Sequence, residues 1–164
     1  MRLKPVPPAP EDLDGLWAAR DTQPRVPRSE TDCCGRLMDR YGVPERGEAE
    51  TWLTFMRALG LVGETDGHYY RTGDDPDRAA LAERFREGVY AAREVLDALE
   101  DREPKSAEAT FEAVADVVPE WERHRDPGWE QTWRTRVERL LAWAALFGLV
   151  ERTAEGYRLT DRAI

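Results

Sequence analysis

Four residues of one short stretch, Arg134, Thr135, Arg136 and Arg139, carry side chains suited to nucleic-acid chemistry, and Arg152 and Arg158 follow downstream. A guanidinium offers a planar fork of donors that matches a phosphate or the major-groove edge of guanine, and a threonine can meet a base edge through its hydroxyl or methyl. This concentration of arginine stands out in a chain with 33 acidic residues and a net charge of −9. The same residues fit a second description, a solvated helix face whose arginines pair with Glu130 and Glu138. The sequence leaves both open.

Other chemistries find little footing. The sequence holds no phosphate-cradling glycine loop and no nucleophile elbow. Its two histidines, His68 and His124, lie far apart, one on a turn-bound strand and one in a charged turn. Cys33 and Cys34 are adjacent, which strains a disulfide between them and leaves no zinc-binding spacing. They read as small apolar residues on a helix. The expectation is a protein without catalytic residues, metal or cofactor, and not an enzyme.

Composition sets the background. Only two of the 24 basic residues are lysines, Lys4 and Lys105; Ile164 is the sole isoleucine and asparagine is absent. Arginine for lysine, with so little Ile and Asn, suggests a GC-rich genome. Abundant carboxylate with little lysine resembles proteins of salt-loving archaea, whose acidic surfaces stay hydrated in molar salt; an actinobacterial source is the rival. Overall acidity normally argues against nucleic-acid partners. At about 1 M salt the Debye length falls to roughly 3 Å, so that argument loses most of its force. No apolar run approaches the roughly 20 residues of a membrane span, and the N-terminus lacks the apolar stretch of a signal peptide. A soluble, cytoplasmic protein is expected, without a membrane partner.

The elements that would position the arginines follow from periodicity and punctuation. Residues 1–10, with four prolines, read as an extended arm. Leu13, Leu16 and Trp17 suggest a first helix. Ser29 with Asp32 opens a second helix that ends at Tyr41–Gly42, and a third carries Trp52, Leu53, Phe55, Met56 and Leu59 up to Gly60. Leu61–Val62, a tip at Asp66–Gly67 and Tyr69–Tyr70 form a hairpin. Asp75–Pro76 then predicts the start of a long central helix through Leu81, Phe85, Gly88, Ala92, Val95 and Leu99, ended by Glu103–Pro104. Its alternating four-three spacing could make a homodimer seam, or the helix could serve as the first helix of the following unit. A helix near Ser106 is interrupted at Pro119, Asp126–Pro127–Gly128 is a turn, and Trp133 to Phe147 is strongly periodic. Leu149–Val150, a tip at Ala154–Glu155–Gly156 and Tyr157–Leu159 form a second hairpin.

Sliding the sequence by 88 residues superposes the two helix-plus-hairpin segments without a gap, with eight identities in 25. Glu50 meets Glu138, Leu53 meets Leu141, Gly60-Leu61-Val62 meets Gly148-Leu149-Val150, and Thr65, Tyr69 and Thr72 meet Thr153, Tyr157 and Thr160. The matches fall where a helix stop, an inward strand pair and a strand end are needed. A two-stranded ribbon is unstable alone and must lie on a helical core. The phrases GLVGETDGHYYRT (60–72) and GLVERTAEGYRLT (148–160) resemble the recognition-helix exit and wing of winged helix-turn-helix regulators. The resemblance, of haloarchaeal type, implies a mainly α fold with small β-hairpin wings: two tandem winged-helix modules, 11–73 and 74–164, joined by the long central helix.

The resemblance also implies where DNA would sit, with the third helix in the major groove and the wing at phosphate or the minor groove. In the second module the buried stripe is Trp133, Val137, Leu140, Leu141, Ala144 and Phe147. The opposite face carries Thr135, Glu138, Arg139 and Ala142, flanked by Arg134 and Arg136. Arg152 and Arg158 lie on the wing strands. The first module offers Glu48, Ala49 and Glu50 on its helix and Glu64, Asp66 and Gly67 at its wing, a surface phosphate would repel. The reading is a DNA-binding protein, a transcriptional regulator, whose second module holds double-stranded DNA. The alternative is an adaptor that grips a protein partner through the acidic first module.

Overall fold

The computed structural model describes residues 5–163, so the first four residues of the expected arm lie outside the described residues. The chain divides into two compact units between Val89 and Tyr90.

The first unit runs α1 (Leu13–Asp21), β1 (Arg28–Ser29), α2 (Glu30–Tyr41), α3 (Arg46–Ala58), β2 (Val62–Thr65), β3 (His68–Arg71) and α4 (Arg78–Gly88). Ser29 opens α2 by accepting the Asp32 N–H at 3.1 Å, which satisfies one of the orphan donors of the first turn. The strands form one antiparallel sheet in the order β1-β3-β2, with Arg28 opposite Tyr69 and Gly63 opposite Tyr70. Residues 5–10 have no regular structure and are not free: Val6 is buried, and a β-carbon on Gly15 would come within 2.3 Å of Pro10.

The second unit runs α5 (Ala92–Asp97), α6 (Ala107–Val114), a 3-10 turn (Ala115–Val117), α7 (Glu120–Arg125), α8 (Trp129–Leu146), β4 (Val150–Thr153) and β5 (Gly156–Leu159). A single bridge between Lys105 and Tyr157 stands where β1 stands in the first unit. Each unit therefore places three of its helices, α1 to α3 in the first and α5, α6 and α8 in the second, and a ribbon in winged-helix order. Its core is the expected stripe: Leu53, Met56 and Leu59 on α3, and Trp133, Val137, Leu141 and Phe147 on or ending α8, are all buried. Each such side chain contributes about 1.5–3 kcal/mol by leaving water.

The repeat is geometric as well as lexical. Gly60 and Gly148 take left-handed φ values of 74° and 78° and end their helices alike. The next N–H closes the same wide turn, Leu61 to the Met56 carbonyl and Leu149 to the Ala144 carbonyl, both at 2.9 Å. Thr72 and Thr160 then latch the outgoing strand to that exit. Their N–H groups reach Leu61 O at 3.1 Å and Leu149 O at 3.0 Å, and their hydroxyls reach Gly60 O at 2.8 Å and Gly148 O at 2.5 Å. These bonds explain why the two threonines recur.

The helices depart from expectation in several places. The long central helix is interrupted: α4 stops at Gly88, Val89 is extended, and Ala91 has φ 69° before α5 begins. The physical reason is that its apolar stripe serves two cores. Leu81 and Phe85 are buried in the first unit, while Ala92, Val95 and Leu99 are buried in the second. The division between the compact units falls between Val89 and Tyr90 and puts α4 with the first unit, whereas the modules were expected to meet at 73/74. There Arg84 donates to the Leu59 carbonyl at the end of α3 at 3.0 Å and pairs with Asp74 at 2.6 Å. The interruption also breaks the seam on which a homodimer was considered. The central helix begins at Arg78 behind an Asp77 cap, not at Asp75–Pro76. Finally, the last long helix starts at Trp129, and a short helix, α7, precedes it.

Candidate nucleic-acid interface

α8 takes the place of the third winged-helix helix in its module, as α3 does in the first, and their ends, Leu146 and Ala58, stand 88 residues apart. Upstream the modules diverge. Ser106 caps α6 as Ser29 caps α2, but only 77 residues separate these caps, so the second module holds 11 additional residues before its third helix ends. They build α7 and lengthen α8 to 18 residues against 13 in α3. The five extra residues extend α8 by about 7.5 Å. Gln131 and Thr132 are exposed in that extension.

At 100° per residue, Gln131, Thr135, Glu138, Arg139 and Ala142 share the face opposite the buried stripe. Gln131 and Glu138 are exposed, and Thr135 and Arg139 are half-buried. On the wing, Arg152 is exposed and its guanidinium lies 5.5 Å from the centre of the Tyr157 ring. Arg152 forms no ion pair among the described residues. Glu64 occupies the equivalent place in the first module and is held by Arg57 at 3.3 Å. In the second module these two positions carry Arg152 and Ala145.

The remaining arginines of the expected site are engaged elsewhere. Arg134 leans onto α6: its Nε donates to Glu108 at 2.8 and 3.1 Å, its Nη2 lies 3.7 Å from Glu130, and its guanidinium sits 4.8 Å over Phe111. The Glu108 hydrogen bonds raise its pKa further above its ordinary value. Arg46 does the same work in the first module. It reaches the start of α2 through Thr31 Oγ1 at 3.1 Å and Glu30 at 4.0 Å, and pairs with Glu50 at 3.3 Å. The recurrence identifies Arg134 as a tie between the second and third helices. Arg158 bonds Glu151 directly across the ribbon.

Arg136 departs most from the helical-wheel expectation. Only 7% exposed, it is part of the interior and not a flank of the open face. Its guanidinium stacks 4.6 Å from Trp133, whose indole N–H donates to Glu122 at 3.3 Å. Burial lowers its pKa, while Glu122 and Tyr90 act in the opposite direction. Trp133 is large and polarisable, so a long side chain one turn onward can fold over it instead of pointing outward.

Some residues were missed in the sequence, though signals existed. Trp129 and Trp133 are four residues apart on one stripe, which would have moved the helix start upstream past Gln131. Glu120 and Glu122 followed by Arg123, His124 and Arg125 match the dipole of a short helix. α7 packs back on α8, with Arg123 4.6 Å over Trp129 and Glu122 bonded to Trp133. Those two tryptophans lie on the side of α8 away from Gln131 and Thr135, so α7 does not extend the open face.

A family model described as the halobacterial double winged helix domain matches residues 1–163. The chain belongs to this family. Comparison with curated proteins and with solved structures returned no match. As a double winged helix protein, it carries twice a fold much used for DNA binding, although fold alone does not give function. Among the described residues, no helix is long and apolar enough to cross a membrane, and no cluster of side chains could hold a metal ion.

Proposed function

We propose that this double winged helix protein binds duplex DNA through its second module and acts as a transcriptional regulator. One observation carries the reading: the open face of the lengthened α8 is polar, with Gln131, Thr132 and Thr135 beside Glu138 and Arg139, next to a wing whose Arg152 is exposed. Thr135 and Gln131 would face base edges, and Arg139 and Arg152 would meet phosphate or a groove edge. Arg134 would set the helix on α6, Arg158 would steady the wing, and Arg136 would act from the core by holding Trp133. The test is duplex binding in molar KCl by the full chain and by an Arg139→Glu/Arg152→Glu variant. Loss of binding with unchanged far-UV circular dichroism is expected. Equal binding by both would sink the assignment.

A second reading has its own support. Exposed Glu45, Glu50 and Asp66 give the first module an acidic helix start and wing tip, and its cationic side chains Arg46 and Arg57 are already paired. That surface suits a protein partner better than phosphate. A stoichiometric protein retained by the chain at high salt, with no duplex bound, would favour the adaptor.

A further inference from the structure

Between α1 and α2 the chain reads Pro24-Arg25-Val26-Pro27-Arg28, and every residue from Arg25 to Ser29 is exposed. The segment is nonetheless fixed at both ends. Gln23, only 2% exposed, donates through Nε2 to the Cys33 carbonyl at 3.2 Å, and the Pro24 carbonyl accepts the Arg71 N–H at 2.6 Å. At the other end Arg28 lies in register with Tyr69 on β3, and the Cys33 thiol reaches the Arg28 carbonyl at 3.7 Å. Pro24 and Pro27 each lock a further φ. None of these restraints uses the side chains of Arg25, Val26 or Arg28. They stand on a preformed platform, which lowers the ordering cost of binding.

Val26, at 67%, is the most exposed large apolar side chain among the described residues. One such residue alone is ordinary on a surface. Its setting is what distinguishes it. In the same unit Arg20, Arg36, Arg46, Arg57, Arg71 and Arg84 each pair with a carboxylate. Arg25 and Arg28, on either side of Val26, form no ion pair among the described residues. The carboxylates that flank the loop in sequence are occupied, Asp21 by Arg20 and Arg71 and Glu30 by Arg46. Two uncommitted cations thus stand at most about 11 Å apart along the backbone with an apolar group between them.

That chemistry narrows the partner. Strand addition is disfavoured, because β1 has only two residues and neither Pro24 nor Pro27 has an N–H to offer. A sugar-phosphate backbone would engage the two guanidinium groups and leave Val26 facing anionic oxygen. An acidic protein segment satisfies all three side chains: carboxylates meet the guanidinium forks, and an apolar side chain between them covers Val26. At about 1 M salt the Debye length is roughly 3 Å, so the charges act only at contact and the apolar centre is needed to hold the segment. We infer that the Arg25–Arg28 loop of the first module is a docking site for an extended acidic segment of a partner protein, in which two carboxylates flank an apolar side chain. None of its residues belongs to the face proposed for DNA or to the acidic helix start and wing tip, so the inference stands apart from both readings above.

The test selects short peptides from a randomised display library with the full chain in about 1 M KCl, then titrates the enriched peptide, fluorescently labelled, by anisotropy. Enriched peptides should carry Asp or Glu on both sides of an apolar residue. Arg25→Glu/Arg28→Glu should weaken binding at least about tenfold, and Val26→Ala about three- to tenfold. Arg40→Glu, an exposed charge reversal about 16 Å further along α2 than Ser29, should change it by less than about twofold. Far-UV circular dichroism should be the same for all, since no anchoring group is altered. Enriched peptides without carboxylates, no enrichment at all, double-variant binding equal to wild type, or an Arg40→Glu loss as large as that of the double variant each overturns the inference. So does a labelled duplex or single strand whose binding falls with Arg25→Glu/Arg28→Glu while no peptide is enriched, which would assign the loop to nucleic acid.

Discussion

The third helix and wing of the first module and those of the second end on the same bonds but present different chemistry. Both helices stop at a left-handed glycine, both outgoing strands are latched by a threonine, and each helix is tied by an arginine to the second helix of its module, α2 or α6. Between these fixed points the exposed residues have parted. The helix-to-wing ion pair Arg57–Glu64 becomes Ala145 and Arg152, and the cross-strand pair Gly63–Tyr70 becomes Glu151–Arg158. In the first module Tyr70 lies flat over Gly63, where a β-carbon would come within 2.5 Å of the ring. The difference teaches that identity was retained where the backbone needs it, and that charge changed where only solvent or a partner is in contact.

The shared scaffold can be broken at equivalent core positions. Leu53→Ala and Leu141→Ala each remove a fully buried side chain from the third helix, and each should cost about 2–5 kcal/mol in denaturant unfolding. Costs that differ by more than that whole range would mean the two cores are not equivalent.

Where the modules diverge, Gly156 gives the next effect. It has φ 137°, and a β-carbon there would come within 2.4 Å of the Lys105 backbone, which exchanges both ladder bonds with Tyr157 at 2.8 and 2.9 Å. The first module carries His68 at the same place, opposite Ser29 in a true two-residue strand. Gly156→Ala should therefore cost about 1–3 kcal/mol and loosen the bridge, read as faster amide exchange at Tyr157. An unchanged exchange rate would show that the second wing does not depend on that close approach.

The smallest effect is confined to the first module, whose cysteines have no counterpart in the second. Burial, with Asp32 adding to it, pushes the Cys33 thiol from its ordinary 9.0 up to about 11, and the thiol points at the Arg28 and Tyr69 carbonyls. The folded state favours the protonated thiol, so this contribution is fully present below pH 9 and is lost as the pH climbs towards 11. The urea midpoint of wild type should fall across that window more steeply than that of Cys33→Ala. Parallel curves would exclude ionisation of this thiol as the cause.

Much of the scaffold was legible because it depends on local rules. Glycine at a helix exit, alternating strand residues and an apolar stripe at helical spacing leave traces in a single sequence, and an ungapped repeat confirms them against each other. The candidate site was legible only in part. The helix start at Trp129 was hidden by Asp126–Pro127–Gly128, which reads as a turn whether or not a helix follows directly. The arginine tie escaped notice because Arg46 and Arg134 lie just upstream of the compared segment.

By itself, then, the sequence determined two winged-helix modules, the residues that end and latch their third helices, and the contrast between an acidic first face and an arginine-bearing second. Only the tertiary structure decided which arginines those are in practice. A helical wheel assigns direction from the α-carbon, whereas a guanidinium reaches several bonds further and goes where a ring or a carboxylate receives it. Trp133 drew Arg136 into the core, Glu108 drew Arg134 onto α6, and neither partner is adjacent in sequence on the face that was being read.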